Sequence, residues 1–189
     1  MPETKIEIDV AGGRGEYFVE KARKERGKVF LLLDPVPAKI LRKPANLNVF
    51  RWISSKRSAL PITKDSVDEA NVNFLFGEIR DENDEVYSDP TQFEEYRRVS
   101  QEIFRVLKPN GTLKVVDARA NIFNIKDLLI DSGFGILEEP RVISDGDRTV
   151  WTKVFFDVYK NVGKPLEKSE AAPMEITVVK KPLDRAQMD

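Results

Sequence analysis

Short apolar stretches alternate with amphipathic ones over the first two thirds of the chain. Five of them have the uninterrupted or alternating apolar pattern of strands: Lys5–Val10, Val29–Leu33, Asn48–Ile53, Val67–Val72 and Thr112–Val116. The run Val29–Leu33 is apolar throughout, which is typical of a strand buried on both faces of a parallel sheet. Because strands that alternate with helices form mainly parallel sheets, the pattern predicts an α/β fold.

The segments between these strands carry helix signals. A first helix is predicted over Gly15–Arg26, with Gly27 as its stop. Another is predicted over Ile125–Ser132, with Asn124 as its N-cap and Gly133 as its end.

The longest predicted helix lies between them. Asp89 is a good N-cap, and Pro90 suits the first helical position. Apolar residues then recur at helical spacing: Phe93, Tyr96, Val99, Ile103 and Leu107. We expect the turn Pro109-Asn110-Gly111 to end this helix.

The alternation stops in the last third of the chain. Two short segments are strand-like: Phe134–Leu137 and Val142–Ser144. Either Val150–Tyr159 or Glu175–Val179 supplies a last, antiparallel strand, and the pattern does not decide between them. We therefore predict one domain over residues 1–160, followed by a linker and a strand-like extension over residues 161–189.

Composition removes several kinds of chemistry. The 189 residues include no cysteine and no histidine, which excludes disulfides, thiolate nucleophiles, histidine bases and histidine-zinc sites, and no metal is expected. The net charge of −1 indicates no general attraction to nucleic acid or to a membrane surface. The N-terminus lacks the apolar core of a signal peptide, so we expect a cytoplasmic protein.

A glycine-rich loop follows the first predicted strand. Asp9 stands near the end of that strand, and Ala11-Gly12-Gly13-Arg14-Gly15 leads into the first helix. Glycines let the backbone approach a ligand closely, and ligands of parallel sheets bind at the carboxyl ends of the strands. An ordinary tight turn is the alternative. Nicotinamide binding is disfavoured because Phe18 stands where that fingerprint needs a small residue.

Four pieces of the chain, taken in order, resemble the class I S-adenosylmethionine-dependent methyltransferases, which are Rossmann-like. They are the loop Asp9–Gly15, Asp34 after the second strand, Leu60-Pro61-Ile62 with Ser66-Val67-Asp68, and Ile103–Leu113. The resemblance implies a three-layer α-β-α sandwich around a mainly parallel seven-stranded sheet with an antiparallel last strand. It also implies that the protein is a transferase with S-adenosyl-L-methionine as its cofactor.

The resemblance further implies roles for particular residues. The backbone of the glycine-rich loop would approach the amino acid portion of the cofactor, with Asp9 orienting the loop or contacting the amine. Asp34 would accept hydrogen bonds from both ribose hydroxyls, and the adenine would lie between Pro35 and Val36 on one side and Trp52 or Ile53 on the other. The full set of expected cofactor-binding residues is Asp9, Ala11, Gly12, Gly13, Gly15, Asp34, Pro35, Val36, Trp52, Ile53 and Asn73. Two departures from the family pattern are Ala11, in place of the first glycine, and the lack of an acid in Trp52-Ile53-Ser54-Ser55.

The methyl acceptor would approach the loop after the fourth strand. Asn73 and Glu78 are its candidate catalytic residues, whereas Phe74 and Phe76 form either an apolar wall or part of the core. The acceptor, a small molecule or a macromolecule, is not identified. The cover of its site would come from Gly77–Asp89, from the C-terminal tail, or from a partner or self-association. Two alternatives stay open: a non-catalytic binding or scaffold protein, and an RNA-modifying enzyme. Four scattered basic residues bear on the latter: Arg97, Arg98, Lys108 and Lys114.

Overall fold

Three helices and nine strands make up the described part of the chain. The computed structural model describes residues 3–10, 16–34, 40, 42–52, 59–73, 79–80, 86–87, 90–143 and 172–181. The strands are β1 (Lys5–Val10), β2 (Lys28–Asp34), β3 (Leu47–Arg51), β4 (Val67–Asn73), β5 (Ile79–Arg80), β6 (Val86–Tyr87), β7 (Leu107–Ala118), β8 (Phe134–Val142) and β9 (Pro173–Lys180). The helices are α1 (Glu16–Lys24), α2 (Pro90–Val106) and α3 (Arg119–Asp131).

Seven of the strands form one mixed sheet in the order β3-β2-β1-β4-β7-β9-β8. The first five strands in this order are parallel to one another, whereas β9 is antiparallel to both β7 and β8. Strands β5 and β6 form a separate antiparallel pair. The predicted α/β fold, with its antiparallel last strand, is therefore confirmed.

The two faces of the sheet bury different apolar clusters. Ile8 and Val10 of β1 point to the face covered by α2 and α3, where they join one large cluster. On the other face, Phe18 of α1 packs edge-on against Phe30 of β2, with ring centroids 5.4 Å apart. Since side chains alternate along a strand, Glu7 and Asp9 point to this second face.

The strand predictions in the first two thirds of the chain agree with the structure to within one to three residues at most boundaries, and Gly133 ends α3 as expected, with φ 98°. The start of α3 was predicted wrongly, because the helix begins at Arg119 and Asn124 is an exposed residue inside it. The apolar residues of α3 that pack into the core begin at Ile122 and continue with Ile125 and Leu129. At the end of β7, Asp117 Oδ1 accepts a hydrogen bond from Nδ2 of Asn121, in the first turn of α3, at 3.0 Å.

The predicted turn Pro109-Asn110-Gly111 lies within the span of β7, which starts directly after α2. The pairing with β4 jumps from Leu107 to Thr112, and Asn110 has φ 65°. A Cβ at position 111 would lie 2.8 Å from the Lys108 carbonyl oxygen, so this bulge requires glycine there.

The last third of the chain corrects one prediction and decides another. Phe134–Leu137 and Val142–Ser144 were predicted as separate strands, but β8 runs unbroken from Phe134 to Val142 with two register shifts. Of the two candidates for the last strand, Glu175–Val179 lies in β9, between β7 and β8. Val150–Tyr159 lies outside the described residues, and the division of the chain after residue 160 stays a prediction.

Within the described ranges, no helix has both the length and the apolar character that crossing a membrane requires.

Candidate functional site

Four neighbouring strands bring predicted site residues to the same edge of the sheet. β3, β2, β1 and β4 are adjacent and parallel, so their carboxyl ends meet. Near or just after these ends stand, in the same order, Trp52, Asp34, Asp9 and Asn73. All four residues therefore lie where ligands of parallel sheets bind.

Register places three of these side chains on one face. Asp9 pairs with Leu32 of β2 and with Asn71 of β4. Asp34 and Asn73 each follow two residues later on the neighbouring strands, so they share the face of Asp9. Asn73 Nδ2 donates to Asp9 Oδ1 at 3.4 Å, a long hydrogen bond.

Trp52 is tied to this group through the backbone. Its N–H donates to the carbonyl oxygen of Asp34 at 3.0 Å, immediately after the last pair of β2 and β3. Its side chain belongs to the same apolar cluster as Leu33 and Leu60 and is 7% exposed. The indole is thus fixed beside the end of β2.

The carboxyl group of Asp9 is held in an unfavourable environment for charge. Asp9 is 2% exposed. Burial raises the pKa of Asp9 well above its usual value, and the negative charges of Glu7 and Asp34 raise this pKa further, whereas Lys21 lowers it. A cation placed against Asp9 would favour the ionised form and lower this pKa.

Beneath Asp9, a second buried acid is well compensated. Glu7 Oε1 accepts from Lys21 Nζ at 2.6 Å and from Asn71 Nδ2 at 2.9 Å, while Lys28 Nζ lies 3.5 Å from Oε2. The sequence analysis missed this group. The signal that could have found it is the repetition of polar residues at every second position of two core strands, at Glu7 and Asp9 and again at Glu69, Asn71 and Asn73.

Among the described residues, two buried side-chain atoms lack a hydrogen-bond partner, and both belong to this edge. They are Trp52 Nε1, a donor, and Asn73 Oδ1, an acceptor. A buried polar atom without a partner costs about 1–3 kcal/mol. The two residues belong to the outer strands of the group, which are three strand spacings or about 14 Å apart. The Trp52 side chain lies on the face covered by α2 and α3, whereas the Asn73 side chain lies on the face of Asp9.

The remaining predicted site residues lie outside the described part of the chain. They are Ala11, Gly12, Gly13, Gly15, Pro35, Val36, Ile53 and Glu78, and Phe74 and Phe76 share that status. Their roles stay predictions.

The basic residues considered for nucleic-acid binding are engaged with neighbouring acceptors. Lys108 Nζ lies 2.7 Å from Glu3 and 3.1 Å from Asp68, and Lys114 Nζ lies 3.4 Å from Glu175. Arg97 and Arg98 both donate to Glu94, to the side chain and to the backbone carbonyl respectively.

The fold is shared with solved methyltransferases. The chain is similar to the 16S rRNA methyltransferase KamB, with a TM-score of 0.61, 14% identity, and coverage of 94% of this chain and 88% of that one. It is also similar to a 16S rRNA (adenine(1408)-N(1))-methyltransferase from Catenulisporales acidiphilia solved with SAM, with a TM-score of 0.59, 14% identity, and 95% and 88% coverage. A third similar structure is the [4+2]-cyclase SpnF, with a TM-score of 0.60, 16% identity, and 94% and 75% coverage.

Comparison of the sequence with known families and proteins finds no relative. No protein-family model matches the chain, and no curated protein matches it significantly. The structural similarity shows that the chain has the class I S-adenosylmethionine-dependent methyltransferase fold, as the sequence motifs predicted. Because a cyclase shares this fold, the reaction must be argued from the site itself.

Proposed function

We propose that the protein binds S-adenosylmethionine across the ends of β3, β2, β1 and β4 and transfers its methyl group to an acceptor. The order of donors and acceptors along this edge carries the proposal. It runs from the Asp34 carboxylate to the oxygens of Asp9 and Asn73, which share one face of the sheet. The ligand offers the complementary order: ribose hydroxyls that donate, followed by an ammonium group that donates.

The acidic residues fit the two donating parts of the ligand. The two oxygens of Asp34 suit a pair of neighbouring ribose hydroxyls, and the residue is 8% exposed, so water competes weakly for them. The ammonium group would supply the positive charge that Asp9 lacks and a donor for Asn73 Oδ1. Binding would thus stabilise the ionised form of Asp9 and give Asn73 Oδ1 a hydrogen-bond donor.

When bound, S-adenosylmethionine supplies an activated methyl group, which the lone pair of an acceptor takes in an in-line displacement that leaves S-adenosylhomocysteine. The work left to the protein is therefore mostly alignment, which suits a chain without histidine. Asn73 stands at the end of β4 and is our candidate for orienting the acceptor. Glu78 is the candidate base for an acceptor that must lose a proton.

Cofactor binding is tested by calorimetry with S-adenosylhomocysteine on the full chain. We expect Asp34→Asn to weaken binding about 10- to 100-fold, which is the effect of losing hydrogen bonds to a charged acceptor. Asp127→Asn, the same change at an exposed position of α3, is the control and should bind as the wild type does. A wild type that does not bind refutes the function, and an unaffected Asp34→Asn variant refutes the site.

Catalysis needs a separate measurement. Fractions of a cell extract are incubated with the protein and S-adenosylmethionine labelled on the methyl group, and we expect label in at least one fraction. The Asp34→Asn variant should transfer less at the same cofactor concentration. Tight binding of the cofactor without any transfer would instead support a non-catalytic binding protein.

The rRNA-methylating neighbours do not suffice to assign an RNA acceptor to this chain. Binding to nucleic acid depends on cations that meet phosphates. Lys108, Lys114 and Arg97 each form an ion pair with a nearby acid. We therefore leave the acceptor class open within the proposed transferase activity.

A further inference from the structure

We infer that the protein binds the phosphate backbone of a nucleic acid at the amino ends of β1, β2 and β3. The surface that would do so, which we call the basic corner, consists of five exposed residues: Lys5, Arg23, Arg26, Arg42 and Lys43. The basic corner lies at the opposite end of these strands from the proposed cofactor site. The inference therefore goes beyond the proposed function and does not rest on it.

The register of the sheet brings the first three of these residues together. Lys5 begins β1, and its Cα partner across the parallel pair is Lys28, which begins β2. Arg26 lies two residues before Lys28, in the turn between α1 and β2. Arg23 precedes this turn in the last turn of α1.

The segment before β3 lies against the same turn. Asn46 Nδ2 donates to the carbonyl oxygens of Glu25 and Lys28 at 3.2 and 3.0 Å. Asn46 stands directly before β3, and Arg42 and Lys43 precede it by four and three residues. The basic corner thus follows the amino ends of three adjacent strands, over two strand spacings or about 10 Å.

The cations of the basic corner differ from most others in having no partner. Among the lysines and arginines whose side chains the structure describes, nearly all form an ion pair or a side-chain hydrogen bond. The exceptions are the five residues of the basic corner, Arg51 at the other end of β3, and Lys181 after β9.

The nearby acids do not neutralise the basic corner, because other lysines hold them. Glu25 lies 3.0 Å from Lys28 Nζ, and Glu20 lies 2.7 Å from Lys24 Nζ. The net charge of the chain is −1, but its unpaired cations are concentrated at one place. The local potential there is therefore positive, whatever the average over the chain.

The dipole of α1 accounts for only part of the basic corner. Cations in the last turn of a helix stabilise its C-terminal end, which explains Arg23. Lys5 begins a strand, and Arg42 and Lys43 precede one, so the dipole gives no reason for these three.

A nucleic acid is the partner whose chemistry fits this surface. Its backbone presents closely spaced phosphates, and each cation that meets a phosphate releases a counterion. Three of the five side chains are arginines, whose planar guanidinium groups match phosphate oxygens in pairs. A membrane surface fits less well, because binding to it also uses apolar side chains. The exposed large apolar side chains of the described structure lie elsewhere, near the carboxyl end of β3 and in α3 and β8.

The test measures the fluorescence anisotropy of a labelled single-stranded oligouridine with the full chain at several salt concentrations. We expect a Kd on the order of 10⁻⁶ to 10⁻⁴ M near physiological salt, and a slope of about −3.5 for log K against log salt, as five phosphate contacts require. Lys43→Gln should weaken binding about fivefold near 0.1 M salt and reduce the slope by about 0.7. Lys181→Gln, at another exposed lysine without a partner, is the control and should bind as the wild type does.

Three results would overturn the inference. Oligouridine that does not bind, or binds without dependence on salt, excludes a phosphate surface. Equal weakening by Lys43→Gln and Lys181→Gln shows that only the net charge of the chain matters. Tighter binding to vesicles that contain phosphatidylserine than to oligouridine, lost in Lys43→Gln, assigns the basic corner to a membrane.

The proposed function is tested separately from this surface. Along β2, about 20 Å separates the basic corner from Asp34. We therefore expect Lys43→Gln to keep the wild-type affinity for S-adenosylhomocysteine. A chain that binds oligouridine but no S-adenosylhomocysteine would refute the cofactor site and leave this inference standing.

Discussion

The two ends of the sheet differ in how well their buried polar groups are hydrogen-bonded. At the amino ends of the strands, Lys180 Nζ donates to Asp65 Oδ1 at 2.6 Å and to the carbonyl oxygen of Leu107 at 2.8 Å. At the carboxyl ends, Trp52 Nε1 and Asn73 Oδ1 are buried and lack partners within the described structure. We expect the amino end to maintain the fold and, under the proposed function, the carboxyl end to bind the ligand.

The amino end is held by further contacts of the same kind. Arg105 donates to the backbone carbonyls of Leu60 and Ile62 at 3.0 and 3.1 Å, and Glu102 accepts from the Leu60 N–H at 2.9 Å. Asp68 accepts from the Ile6 N–H at 2.8 Å. Residues that resembled a methyltransferase motif in the sequence, such as Leu60 and Arg105, thus contact each other to support the sheet.

The largest effect is expected from Lys180→Met at the amino end. The change removes a side chain that is 8% exposed and leaves Asp65 and the Leu107 carbonyl without their donor. We expect a loss of about 3 kcal/mol in the free energy of unfolding, as for the loss of two hydrogen bonds from a charged donor, one of them to a buried carbonyl, with unchanged affinity for S-adenosylhomocysteine. Chemical denaturation measures it, and Lys181→Met, at the exposed neighbour, is the control. Weakened ligand binding in folded Lys180→Met would remove the contrast between the two ends.

A smaller loss is expected from Gly133→Ala, also at the amino end. Gly133 has φ 98°, and an added Cβ would lie 3.2 Å from the ring of Phe104, which packs edge-on against Phe134. Backbone strain and displacement of that ring should together cost about 2 kcal/mol. Gly27→Ala is the control, because no atom lies within 4 Å of its added Cβ. Equal stabilities of the two variants would contradict this prediction.

The smallest effect has the opposite sign and concerns the carboxyl end. Because burial raises the pKa of Asp9 above its unfolded value of about 3.9, the wild type loses stability as the pH rises from there through the folded pKa. We expect Asp9→Asn to lack this loss and, near neutral pH, to be about 1 kcal/mol more stable, raising Tm by roughly 2–4 °C.

The same variant should bind the ligand more weakly. Binding of the ammonium group favours ionised Asp9, so wild-type affinity for S-adenosylhomocysteine should rise with pH over the range in which Asp9 titrates. The affinity of Asp9→Asn should be lower and independent of pH over that range. Calorimetry at several pH values checks this. An Asp9→Asn variant that is less stable than the wild type but binds the ligand with equal affinity would show that Asp9 supports the fold and not the site.

Local patterns predicted most of this fold, and long-range contacts account for what they missed. The buried strands and the positions of Asp9 and Asp34 at their ends follow from alternation and from residue order. The pairing of Glu7 with Lys21 could not be predicted, because it depends on how α1 packs on the sheet. The unsatisfied atoms of Trp52 and Asn73 are likewise invisible in a sequence, since burial and the lack of a partner are properties of packing.

The insertion of β9 between β7 and β8 has a consequence for biosynthesis. During translation, the edge of β7 that pairs with residues 173–180 has to wait until this late segment leaves the ribosome. Until then β8, which pairs with β9 among the described strands, also lacks its partner. From the synthesis of β7 until residues 173–180 emerge, the nascent chain therefore exposes an open β-edge, and such edges promote aggregation and engage chaperones.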